Sequence, residues 1–154
     1  MSILARYKKP GGFIQLLKLI ETSQPVKQQK LLEAVEKEDP DWADLIRRKK
    51  LTVDMVLDWD KETQTKIYEY MNPRHCATFF KNNGGEDRVL EFREFFRLEK
   101  YNELFDLVEH IESLSPAEIF AAENNLLETI RFLEEEKKLI LRFIDPSLDT
   151  SEAA

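Results

Sequence analysis

Helix-start punctuation constrains this chain more than any other feature. A side chain able to cap free backbone N–H groups stands directly before a proline at Asp39-Pro40, Asn72-Pro73 and Ser115-Pro116. Proline suits the first position of a helix, where its missing N–H leaves no bond unmade, and the residue before it supplies the acceptor. Ser115-Pro116-Ala117-Glu118 is the clearest of the three, because the glutamate can reach back and close a capping box. Ser23-Gln24-Pro25 reads as a stop and restart, and Thr52 and Asp60 are further caps. A chain broken this often must be built of short helices.

Apolar spacing agrees with the punctuation. Phe13, Leu16, Leu17 and Ile20 follow the i, i+3, i+4, i+7 rule of one helical face after Gly11-Gly12. Val26, Leu31, Leu32 and Val35 predict a second helix, and Trp42, Leu45 and Ile46 a third. A very short one carries Val53, Val56 and Leu57, and the next has Ile67, Tyr70 and Met71 inward. Cys76, Phe79 and Phe80 line a helix that Asn82-Asn83-Gly84-Gly85 should end, glycine being the residue that most cheaply turns left-handed. Val89, Phe92, Phe95 and Phe96 are expected buried on the following helix. Tyr101, Leu104, Phe105, Val108 and Ile111 mark another. Ile119, Ala122, Leu126, Ile130 and Leu133 mark a long last one. Leu139–Phe143 reads as a helix end or short extended cap, and the tail after it as frayed. No stretch alternates with period two, so the expected class is all-α. Short helices are unstable singly and must stack on neighbours.

Charge narrows the partners. The formal net charge is −7, with 11 Lys/Arg against 8 Asp/Glu in residues 1–57 and 12 against 22 in residues 58–154. An acidic C-terminal half would repel phosphate, so nucleic acid is not expected as a partner. The run Arg47-Arg48-Lys49-Lys50 is explained by architecture, since cations favour a helix C-terminus; an acidic partner surface is the alternative. No apolar run approaches ~20 residues, and the N-terminus lacks an apolar core after its basic residues, so neither a membrane span nor a secretory signal is expected. Cys76 is the only cysteine, which suits a reducing, cytoplasmic setting.

Catalytic patterns are scarce. His75 and His110 sit in no metal-ligand spacing, and adjacent His75 and Cys76 point about 100° apart on a helix. Cys76 shares a stripe with phenylalanines and reads as core. Neither Gly-Gly pair has a phosphate-loop context, and Glu134-Glu135-Glu136 reads as a solvated helix end. The expectation is a non-enzymatic binding or mechanical module without cofactor or metal. The five phenylalanines from residue 79 to residue 96 read as core, with a docking groove as the alternative.

Three segments resemble the flagellar motor switch protein FliG family. The first is GGFIQLLKLIETSQPVKQQKLLEAVEKEDPDWADLIRRKKLTVDMVL, of which LLEAVEKEDPDWADLIRR is the most specific piece. The others are DWDKETQTKIYEYM and SPAEIFAAENNLLETIRFLEEEKKLIL. The resemblance runs from Gly11-Gly12 to about residue 143. It implies a right-handed, armadillo-like stack of short helices. It implies middle-domain-like helices and linker over 1–57, C-terminal-domain-like helices over 58–143, and a flexible tail over 144–154. The family's N-terminal membrane-ring domain and the EHPQ segment that binds FliM have no counterpart here. The implied role is in the cytoplasmic rotor ring at the basal body, in torque generation or switching. The implied partners are FliG-like and FliM-like rotor proteins, a MotA-type stator met by a charged helix, and further copies through helix stacking. Carried over by position, Lys81 matches the family's lysine before a small-residue turn. Arg97 falls near its ridge arginine, and Asp106 near its paired aspartates, where Phe105 breaks the pair; Ser113 lies near the place of a final arginine. The competing reading is a regulatory or scaffold module of another system, similar to the MgtE transporter N-domain or of gliding-motility type.

Overall fold

The structure is a computed structural model and describes residues 2–153. It is all-α, with no strand among those residues. The helices are α1 (Gly12–Glu21), α2 (Pro25–Glu38), α3 (Pro40–Lys49), α4 (Val53–Leu57), α5 (Lys61–Tyr68), α6 (Pro73–Asn82), α7 (Gly85–Glu91), α8 (Leu98–His110), α9 (Pro116–Glu135) and α10 (Leu141–Ile144). Single 3₁₀ turns lie at Leu4–Arg6, Pro146–Leu148 and Ser151–Ala153.

Four of the predicted caps, Asp39, Asp60, Asn72 and Ser115, are in place. Asp39 Oδ1 accepts from the N–H groups of Asp41 (3.1 Å) and Trp42 (3.2 Å). Asp60 accepts from Thr63 N–H at 2.8 Å, and Asn72 from Arg74 (2.9 Å) and His75 (3.2 Å). Ser115 Oγ accepts from Glu118 N–H at 3.1 Å, while Ser115 N–H donates back to Glu118 Oε1 at 3.3 Å. Each cap gives orphan N–H groups a local acceptor, typically worth about 1 kcal/mol.

The chain forms two compact units. One joins the segment up to Thr52 with that from Glu134 onward; the other is Val53–Leu133. This differs from the linear division at residue 57 and residue 144. The first unit is built on the α1 stripe: Phe13, Leu16, Leu17 and Ile20 are buried with Leu4, Val35, Ala43 and Ile46. Fully burying each such aliphatic chain is worth about 1.5–3 kcal/mol. Phe13 meets Trp42 edge-on at 5.3 Å. Gly12 packs so closely on the Tyr7 carbonyl that a Cβ would come within 1.7 Å of its oxygen. The expected frayed tail is instead anchored. Leu148 is only 1 % exposed, and the buried Lys49 ammonium donates to the Ser147 carbonyl at 2.9 Å. An apolar anchor and a satisfied cation hold what composition alone marked as loose.

The second unit has an aromatic core. Phe80 lies 4.8 Å from Tyr68 and 5.3 Å from Phe92, both edge-on, and Phe96 closes the cluster 6.3 Å from Phe92. Along α9, Ala122, Leu126, Ile130 and Leu133 are buried as expected. Three apolar residues expected inward are not. Phe95 is 43 % exposed, because α7 ends at Glu91 and the chain runs on as a turn, so the helical spacing stops applying. Tyr70 (49 %) lies beyond the end of α5, and Val26 (68 %) in the first turn of α2, ahead of its packed face.

Candidate functional site

One exposed helix face, on α8, carries acidic side chains along its length. Tyr101, Leu104 and Val108 recur at i, i+3 and i+7 and are buried, which fixes the helix by one side. The opposite side exposes Glu99, Glu103, Asp106 and Glu109, with His110 at the end. The ridge is acidic over three turns, and its inner face is locked into the unit.

Two of the three sequence-predicted contact residues fall on or beside this helix. Arg97 is its N-cap residue, 73 % exposed, with Nε 3.3 Å from Glu69 Oε2. Asp106 lies midway along α8, and its carboxylate stands 3.5 Å from His110 Nδ1, both side chains being 72 % exposed. His110 Nδ1 also lies 2.7 Å from the Asp106 carbonyl oxygen. That hydrogen bond, then the nearby carboxylate, raises the imidazole pKa above its ordinary value. Lys81 sits apart from them, half-buried in the last turn of α6.

Beside α8 a narrow cleft of about 20 Å³ is lined by Met71, Pro73, Cys76, Phe96, Leu104 and Leu107, with Lys100 and Glu103 also on its wall. Burial pushes the Cys76 thiol up to about 12, so it stays protonated and poorly nucleophilic at neutral pH. Among the described residues, no group of three or more His, Cys, Asp and Glu side chains is placed to hold a metal ion. No helix among them is long and apolar enough to cross a membrane.

The basic run has been absorbed by the fold. Arg47 pairs with Glu36 at 3.1 Å, Arg48 with Asp44 at 3.0 Å, and Lys50 Nζ donates to Gln28 Oε1 at 3.1 Å. With Lys49 bound to Ser147, all four cations have intramolecular partners, as the architectural reading expects.

One constellation escaped the sequence. The Arg88 guanidinium lies 4.9 Å from the ring centres of both Phe80 and Phe92, and 5.8 and 5.9 Å from those of Tyr68 and Phe79. Its Nη2 donates to Gln64 Oε1 (2.7 Å) and Tyr68 Oη (3.1 Å). Burial raises the Tyr68 phenol to about 12, against the lowering influence of Arg88. Gln64 and Arg88 are 24 residues apart with no motif joining them, so no sequence signal could have paired them.

The fold and surface define an all-α protein with an acidic helix ridge. Neither a protein-family model nor a curated protein matches the chain.

Proposed function

We propose that this chain is a FliG-like component of the bacterial flagellar rotor, acting through protein–protein contacts and offering α8 to a charged partner. The observation that carries the reading is the solvent face of α8, with Glu99, Glu103, Asp106 and Glu109 exposed on a helix whose other face is immobilised by Tyr101, Leu104 and Val108. The resemblance to FliG supplies the role: a stacked-helix rotor part that meets a stator or a FliM-like protein with a charged helix. Intramolecular pairing occupies the cations of the Arg47–Lys50 run, and α8 is taken as the charged contact face. The complementary surface is therefore basic opposite α8, with an acidic group opposite Arg97. The corresponding location is the cytoplasmic side of the basal body.

Rim charges act mainly on encounter rate and orientation, so the contact should weaken as salt rises. Two double variants test it: Glu103→Lys with Asp106→Lys, and Lys81→Glu with Arg97→Glu. The first is expected to keep the wild-type melting curve, since exposed substitutions seldom exceed about 0.5 kcal/mol; the second, whose Lys81 is half-buried, is compared once its own melting curve shows it folded. The first should abolish pull-down of FliM-like or MotA-like cytoplasmic segments and impair swarming in soft agar; the second should weaken both. Folded variants with wild-type binding and motility would remove α8 from the mechanism.

A further inference from the structure

We propose that α7 is a hinged element held closed by Arg88, a latch whose closed state is deliberately incomplete in its hydrogen bonding. Three features of the Val53–Leu133 unit carry this. First, α7 is preceded by two glycines with left-handed backbone, Gly84 at φ 112° and Gly85 at φ 65°. Side-chain-bearing residues rarely adopt either conformation, so the turn into α7 is one that glycine keeps easy to reorient. Second, α7 buries little of its own surface. Of its seven residues only Val89 is buried, and Leu90 remains 50 % exposed.

Third, the Arg88 side chain is engaged without being neutralised. Its guanidinium packs among the rings of Phe80, Phe92, Tyr68 and Phe79 and donates through Nη2 to Gln64 and Tyr68, both on α5. Nη1 is buried with no hydrogen-bond partner, and no carboxylate pairs with Arg88 among the described residues. In the closed state the cation has ring faces and two acceptors but an orphaned N–H; in an open state water would satisfy every donor. The balance between the two is therefore much closer than for a fully paired buried arginine. Hinge and latch are also in contact: a Cβ on Gly84 would lie 2.8 Å from Arg88 Cβ. Because α7 packs on both α6 and α8, release would reset the Phe92–Arg97 turn and the start of α8. This device stands independently of the rotor reading.

The test is hydrogen exchange followed by mass spectrometry on the full chain. In the unmodified protein, amides of residues 86–92 should exchange at least about tenfold faster than those in the middle of α6 and α9, through an opening insensitive to low urea. Equal rates with equal urea dependence would mean α7 opens only when the whole unit unfolds, and would overturn the proposal. Arg88→Met keeps an unbranched apolar stem against the rings but ends about where the guanidinium begins and cannot donate to Gln64 or Tyr68. It should speed α7 exchange by about a further tenfold while α6 and α9 stay within about twofold. Unchanged or slower α7 exchange in that variant would also refute the latch.

Discussion

Replacing Phe92 and Phe95 separately with alanine gives the sharpest test of the packing described above. The two are three residues apart and chemically identical, yet Phe92 is 1 % exposed and Phe95 43 %. Phe92 meets Phe80 edge-on at 5.3 Å and Tyr68 at 5.6 Å, and lies beneath the Arg88 guanidinium. Truncating a fully buried phenylalanine costs about 3–5 kcal/mol through lost transfer energy and the cavity left behind. Edge-on ring pairs contribute about 0.5–1.5 kcal/mol of that, so Phe92→Ala should fall in the upper half of the range. Phe95 has no ring partner among the described residues and keeps much of its surface in water. Its truncation should cost below about 1.5 kcal/mol, a fraction of the value for full burial. Urea unfolding measures both, and Trp59, only 9 % exposed, reports on this unit by fluorescence once Trp42 is replaced by Phe. The urea slope should stay constant, so that midpoint shifts read as stability. A difference between the two variants smaller than about 1 kcal/mol would refute the assignment of Phe92 to the core and Phe95 to the surface.

Two further outcomes concern the caps. Ser115→Ala should cost about 1 kcal/mol and fray the start of α9, seen as faster exchange of the Ala117 and Glu118 amides; an unchanged midpoint would place the helix start elsewhere. Asp39 has its pKa lowered, first by the Lys8 ammonium hydrogen-bonded to it and then by Trp42 N–H. A lowered folded pKa contributes stability that is present above the ordinary carboxylate range and lost as pH falls through that range toward the folded value. Asp39→Asn keeps a cap acceptor without the charge, so its melting temperature should fall less steeply with acid than the wild type. An equally steep acid limb would assign the pH dependence to other groups.

Helix starts were legible because the physics that sets them is local. An N–H group at a helix end needs an acceptor within a few residues, so Asp39, Asp60, Asn72 and Ser115 announce α3, α5, α6 and α9 from the sequence alone. The buried faces of α1 and α9 were legible for a related reason: a 3.6-residue period is a property of one continuous helix. The same rule misplaced Phe95, since periodicity extrapolated past Glu91 carries no information about where a chain goes after its helix ends. Of the candidate contact residues, position along the chain sufficed to put Arg97 and Asp106 on or beside α8, but not to reveal that Arg97 would meet Glu69 or Asp106 meet His110.

What tertiary structure alone decided is which distant segments share a core. The segment from Glu134 returns to the unit that begins the chain, where Leu148 finds an apolar seat and Lys49 finds the Ser147 carbonyl across 98 residues of sequence. Gln64, Tyr68 and Arg88 likewise become one cluster only when α5, α6 and α7 pack. Composition marks the tail as loose and gives no signal for Arg88, because it describes each residue in water. Burial of a polar side chain is decided instead by whether the rest of the fold brings acceptors and rings to it, and that is a property of the packed chain as a whole.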